Sequence, residues 1–210
     1  MSDAIIMAPM TPDRVTIPGV PMAFEWVVPP DGWSIDDRGL AVRAAERSDL
    51  FIDPGDGTVT LNAPRLLAPL GGDFQLRARV AVEFGSTYDA GVLLVWHDED
   101  RWAKLCFEFS PDREPMIVSV VARGIADDAN AFVVDGAAAW LRISRLGPAY
   151  AFHASTDGRT WRFVRYFSLG GDVDPEVGFL AQSPTGPGCA VTFDGIAFEP
   201  ATLSDLRNGT

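Results

Sequence analysis

Between Arg101 and Phe109 the chain reads Arg-Trp-Ala-Lys-Leu-Cys-Phe-Glu-Phe. Trp102, Lys104, Cys106 and Glu108 share one parity; Ala103, Leu105, Phe107 and Phe109 share the other. Period-two alternation describes a strand with one apolar face and one mixed face. An indole stacks on the apolar side of a pyranose, and ammonium and carboxylate groups bond its hydroxyls, so the mixed face is a candidate carbohydrate surface. Lys104 is the only lysine among the 17 basic residues, and it falls on a strand rather than in a loop. Other strands carry Arg77 and Arg79, Ser119 and Arg123, Trp140 and Arg142 at alternating positions. With parity carried across neighbouring strands, the expected binding face gathers Arg77, Arg79, Trp102, Lys104, Glu108, Arg123, Trp140 and Arg142, with Trp102 and Trp140 as platforms. The same residues equally describe a solvated sheet face laced with ion pairs worth about 0–1 kcal/mol each.

Reaction chemistry finds less support. A glycosidase needs two carboxylates across the scissile bond, about 5–5.5 Å apart for retention or roughly 6.5–9.5 Å for inversion. Glu108 is alone on its strand face, flanked at alternating positions by Cys106 and Ser110. Asp98, Glu99 and Asp100 form a hairpin tip, and Asp172, Asp174 and Glu176 read as a loop. His97 and His153 are the only histidines, no Gly-x-Ser-x-Gly elbow is present, and neither histidine has the spacing of a zinc ligand. No phosphate-cradling glycine loop occurs. Asp53-Pro54-Gly55-Asp56-Gly57-Thr58 reads as a turn rather than a calcium loop, because the third donor and terminal glutamate of that pattern are missing. Cys106 and Cys189 lack metal-motif neighbours. No metal or cofactor is expected.

These residues require strands to hold them. Phe74, Leu76, Ala78, Val80, Val82 and Phe84 alternate with polar residues, which predicts a half-buried strand. Ala90–Val95 is apolar on both parities and suits a central strand covered on both sides. It forms a hairpin with the 101–109 strand across Asp98–Asp100. Further strands are expected at 115–124, 139–144, 150–155, 161–167, 177–182 and 190–198. Asp157-Gly158 marks a hairpin between two of them. The 46–58 and 125–137 segments read as loops, and 61–70, with Pro64 and Pro69, as irregular. About a dozen short strands without a convincing helix predict an all-β sandwich.

Prolines at 9, 12, 18 and 21 make residues 1–22 an extended arm with a short edge strand at most. Residues 23–200 are read as one sandwich domain and 201–210 as a loose polar tail. The net charge of −12 argues against nucleic acid and against anionic membranes as partners. The N-terminus lacks a signal-peptide pattern and no apolar run has the length of a membrane helix, so a cytoplasmic protein is expected.

Several stretches occur in a recognisable order: Tyr88–Leu94, Trp102–Leu105, Val118–Arg123, Trp140–Ile143, Ser155–Trp161 and Val177–Pro184. The ordered set resembles the domain-of-unknown-function family that includes the fungal regulation-of-enolase protein, grouped with the concanavalin A-like lectins and glucanases. The resemblance spans about residues 20–200. It implies a jelly-roll β-sandwich of two antiparallel sheets with one concave face and no established catalytic activity. The family's Thr/His-rich segment is replaced here by Phe51-Ile52-Asp53-Pro54-Gly55-Asp56, so a site built on that segment does not carry over. The leading expectation is a non-catalytic domain binding a carbohydrate or polyol on the concave face. The alternatives are a regulatory module that docks a partner or a second copy through the same face or a sheet edge, and a glycoside hydrolase using Glu108.

Overall fold

The computed structural model describes residues 14–171 and 174–210. The eight-stranded sheet runs β1 (Val15–Thr16), β2 (Ala23–Val28), β7 (Arg65–Pro69), β16 (Glu176–Gln182), β9 (Ala90–Asp98), β10 (Arg101–Phe109), β11 (Pro115–Arg123) and β12 (Ala126–Val133). The seven-stranded sheet runs β15 (Arg162–Phe167), β14 (Ala149–Ser155), β13 (Ala138–Leu146), β8 (Phe74–Val82), β17 (Ala190–Glu199), β4 (Gly39–Arg43) and β3 (Gly32–Asp36). A separate hairpin joins β5 (Leu50–Ile52) to β6 (Val59–Leu61). The two large sheets are antiparallel and stack as the expected jelly-roll sandwich. No helix among the described residues is long and apolar enough to cross a membrane.

Alternation explains the packing between the sheets. Leu76, Ala78 and Val80 of β8, Leu141 and Ile143 of β13, and Phe193 of β17 point inward. They meet Leu93, Val95, Ala103, Leu105, Phe107 and Phe179 of the opposing sheet. Two glycines set how closely the strands approach. A methyl group at Gly91 would overlap Val80 and Val191, and one at Gly178 would overlap the backbone carbonyl of Leu66.

A second core lies on the outer face of the eight-stranded sheet. Leu50, Ile52 and Ala63 cover Val92, Leu94, Trp96, Trp102, Cys106, Val118, Val120 and Leu180. This explains why β9 is apolar on both parities: its outer face is roofed by the β5–β6 hairpin. The turn between β5 and β6 spends its carboxylates on its own backbone. Asp53 Oδ1 accepts the Gly55 N–H at 2.7 Å and Asp56 Oδ1 accepts the Thr58 N–H at 2.8 Å, the turn chemistry expected of this stretch.

Four expectations are corrected. Residues 126–133 form the edge strand β12 rather than a loop; their exposed, polar composition hides the strand signal. Residues 65–69 form β7, with Pro69 as the last residue of the strand, where its missing N–H costs no interior pairing. The 50–61 segment contains the roofing hairpin. The C-terminal segment is not loose: Leu203 is buried, and Leu206 and Gly209 are bonded to the seven-stranded sheet. Of the proposed arm, residues 1–13 lie outside the described residues, and Val15–Thr16 is the expected short edge strand, paired to β2.

Candidate functional site: a buried lysine and a neutral glutamate

Lys104 sits near the centre of the eight-stranded sheet, paired in register with Leu94 on β9 and Val120 on β11. Its side chain points outward but stops under the β5–β6 hairpin, 1% exposed. Nζ donates to Gln182 Oε1 at 3.0 Å and to Asp49 Oδ1 at 3.4 Å. The ammonium also lies 5.6 Å from the Trp102 ring and 5.8 Å from the Phe51 ring, within the range of cation–π attraction. Burial acts to lower the lysine's pKa, but the neighbouring carboxylates outweigh it, Asp49 foremost with Glu108 adding, and raise it overall. Lys104 is therefore a charged, fixed ammonium. Gln182 relays the arrangement outward, donating from Nε2 to the Tyr88 carbonyl at 3.4 Å.

Glu108 lies on the same outward parity, four residues further along β10. Burial pushes its pKa from 4.5 up to about 8; Lys104 pulls it down, while Asp128 and Asp49 push it up. At neutral pH this carboxyl is mostly protonated and can donate a hydrogen bond. Asp128 stands on β12, one strand beyond Val120 in the row of Lys104. Partial burial of its carboxyl raises its pKa, against the pull of Lys104, the Ala129 N–H and Arg165. Cys106, between Lys104 and Glu108, has its thiol raised well above 9 by burial and is inert as a nucleophile.

The rim of this face is held in an uncommon conformation. Tyr88 has φ 70°, in the left-handed region, and is 40% exposed. Its N–H donates to the Phe109 carbonyl at 2.7 Å. Next to it, the fully buried Asp89 accepts from Ser183 Oγ at 2.6 Å and from the Gly85 and Ser86 N–H groups at 2.9 and 2.8 Å. Ser183 in turn takes its N–H to Ser48 Oγ. Three loops are thus tied together beside the end of β10 that carries Glu108. A non-glycine residue fixed at positive φ by such a network is a pointer to function.

The eight residues expected on one face occupy three places. Lys104 and Glu108 share the face just described. Trp102 shares its parity but is 0% exposed, its indole N–H donating to the Glu99 carbonyl at 3.2 Å; it is a core residue and no stacking platform. Arg123 lies on the opposite parity of β11, level with Val121 and Ile117, and bonds the Ser168 carbonyl at 2.9 Å. Arg77, Arg79, Trp140 and Arg142 lie on the outer face of the other sheet, where Arg79 opposes Trp140 and Arg77 opposes Arg142. Trp140 is packed by the backbones of Gly158 and Gly195, where even a Cβ would not fit. Arg79 is spent on Asp194 at 2.7 Å. Period-two reading separates inward from outward residues but not one sheet's outside from the other's. It also missed Asp49, Gln182, Asp128 and Tyr88, although Tyr88 and Gln182 fall in two of the stretches that carried the family resemblance.

Comparison with known proteins fits this architecture. The family described as "Protein of unknown function (DUF1349)" matches residues 26–201. The chain belongs to this family. Regulation of enolase protein 1 of Saccharomyces cerevisiae is 27% identical to the DUF1349 chain over 170 residues, covering 80% of it and 85% of the yeast protein. The crystal structure of a functionally unknown protein from the same yeast superposes with a TM-score of 0.78 at 25% identity, over 84% of this chain and 95% of that one. Lower in identity are the GH43 protein BlXynB from Bacillus licheniformis (TM-score 0.68, 15% identity, 85% of this chain, 37% of that one) and the carbohydrate-binding module CBM66 from Bacillus subtilis (0.54, 13%, 83% and 94%). These last two share the sandwich fold with the DUF1349 chain.

Proposed function

We propose that this protein binds a neutral carbohydrate or polyol on the outer face of the eight-stranded sheet, without transforming it. The observation that carries the reading is a protonated carboxyl, Glu108, on the outward parity of β10 next to the exposed rim residue Tyr88, with Lys104 buried as the fixed charge behind it. Lys104 is buried and already matched by Asp49 and Gln182, so it offers a ligand no free charge and the face suits hydroxyls better than a charged ligand. Glu108 supplies a donor, Asp128 an acceptor, and Tyr88, exposed at the rim, an aromatic surface for a sugar ring. The sandwich likeness to a module named for carbohydrate binding is consistent with this reading.

The test is calorimetric titration of the full chain against a broad panel of neutral mono- and oligosaccharides and polyols, with each ligand incubated and then checked for breakdown. The expected result is a saturable hit, at least tenfold weaker in Glu108→Ala and Tyr88→Ala and undiminished in Arg79→Gln, with the ligand recovered intact. No hit across the panel overturns the proposal, as does a hit indifferent to Glu108. The name of the yeast relative favours a second reading, a regulatory module that docks a protein or a second copy through the same face or an edge strand. A partner recovered from native lysate that Tyr88→Ala fails to retain, with solution mass measured alongside, supports it.

A further inference from the structure

The outer face of the seven-stranded sheet holds a second constellation. Arg77 on β8 and Arg142 on β13 are directly opposed in register. The C-terminal segment crosses above them: Arg142 Nη2 donates to the Gly209 carbonyl at 2.6 Å, His153 Nε2 bonds the Leu206 carbonyl at 2.9 Å, and the Arg207 guanidinium lies 4.6 Å from the Phe163 ring. Gly209 has φ 75°, and a Cβ there would meet Arg142, Trp161 and His153, so the crossing is close. Between segment and sheet is a cavity of about 240 Å³ lined by Gln75, Arg77, Arg142, Glu199, Gly209 and Thr210.

The two guanidiniums beside this cavity keep donors unspent. Arg142 is 5% exposed, stacked 4.2 Å over the Trp161 ring, and its only hydrogen bond among the described residues goes to Gly209. Among the described residues its buried Nε has no partner, and neither has the Nε of Arg77. The Glu199 carboxylate approaches Arg77 at 3.9 Å, beyond hydrogen-bonding distance, and is itself more than half exposed. The main-chain oxygen of Thr210 is engaged by the Asp205 N–H at 2.7 Å. Burial, together with the neighbouring charge of Arg77, lowers the pKa of Arg142 to about 10, against a partial pull from Glu199. A buried donor left without an acceptor is costly, and a guanidinium presents a planar fork that fits carboxylate and phosphate oxygens two at a time. The protein's net charge of −12 opposes general accumulation of anions, so any anion held here is held by local geometry.

We propose that the cavity between Arg77, Arg142 and the C-terminal segment is a binding site for a small oxyanion, a free phosphate or carboxylate or the anionic group of a small metabolite. The site faces away from the Lys104–Glu108 face, so its occupancy is independent of the carbohydrate reading. Its size admits one such group and excludes a macromolecule.

Calorimetric titration of the full chain with inorganic phosphate and, separately, with malonate tests this, with ionic strength held constant by sodium chloride. Saturable one-to-one binding of either anion at millimolar concentration or below is expected. Which of the two binds identifies the chemistry recognised. Arg77→Gln should weaken binding at least tenfold. Arg142→Lys, which keeps the charge and loses the fork, should weaken it by a similar factor. Arg79→Gln removes the same charge one outward position along β8 and should leave binding unchanged. Circular dichroism of each variant confirms that it is folded. Failure of both anions to saturate overturns the proposal, as does a folded Arg77→Gln chain that binds as tightly as the unsubstituted one.

Discussion

Replacing Glu108 with glutamine removes an ionisable group while keeping a neutral hydrogen-bond donor of the same size. In the unfolded chain this carboxyl titrates near 4.5; in the folded chain it titrates near 8. Between those values the unfolded state has released its proton and the folded state has kept it, so stability falls as pH rises through the window. The stability is fully present below pH 4.5 and is lost by about pH 8. At ~1.4 kcal/mol per pH unit, the interval sets a ceiling of about 5 kcal/mol. The side chain keeps some contact with water, which cuts the expected effect to about 2 kcal/mol. Glu108→Gln and the unsubstituted protein should therefore be equally stable at pH 4.5. By pH 8.5 the variant should be the more stable by about 2 kcal/mol. Urea denaturation of both proteins at half-unit steps from pH 4.5 to 9 measures the gap. Asp128 and Glu176, whose pKa values are also raised, are common to both proteins, so their main effect drops out of the difference. A gap that stays flat with pH, or that favours the unsubstituted protein at high pH, would refute the assignment of a neutral Glu108.

Three further outcomes are expected. Lys104→Met leaves Asp49 and Gln182 without their cation and should cost about 3 kcal/mol in urea denaturation; a loss below 1 kcal/mol counts against a fixed, charged lysine. Gly178→Ala forces a methyl onto the Leu66 carbonyl and should lower stability by about 2 kcal/mol or more, whereas Gly32→Ala, with open space around it, should fall within about 0.5 kcal/mol of the unsubstituted protein; equal effects would show that β7 and β16 are not so tightly apposed. Both cysteines are free and buried, and burial pushes the Cys189 thiol up to about 12. A thiol reagent at pH 8 should therefore label neither in the native protein and both after denaturation.

Strands whose two faces differ in polarity announced themselves in the sequence. β8 alternates over its whole length, and the Asp157-Gly158 turn fixed the β14–β15 hairpin. Strands whose environment is uniform did not. β12 is exposed along nearly all its length and lacks an apolar face, so only its pairing to β11 makes it a strand. Alternation correctly put Lys104 and Glu108 on the outward side of β10, yet it carries no information about a roof. The clue was on the neighbouring strand: β9 is apolar on both parities, which requires something to cover its outer face, and that cover extends over Trp102 and Lys104 as well. Merging Arg77 and Arg142 with Lys104 failed for a related reason. Outward positions on the two sheets have the same pattern and opposite locations, and only the strand order separates them.

The strand order also sets a timetable for folding. β16 lies between β7 and β9, and β17 between β8 and β4, so each sheet has at its interior a strand that follows both of its neighbours in sequence. Until β16 and β17 have been made and have emerged, β7 and β9 each lack a neighbour, and so do β8 and β4. Hairpins such as β9–β10 and β13–β14 can close early, but neither sheet can become continuous until β16 and β17 are available. Pairings this distant in sequence close slowly, and open strand edges attract other chains in the meantime. A nascent chain stalled before Glu176 should therefore carry protected hairpins without a protected sandwich, and should depend on chaperone shielding until β16 and β17 emerge.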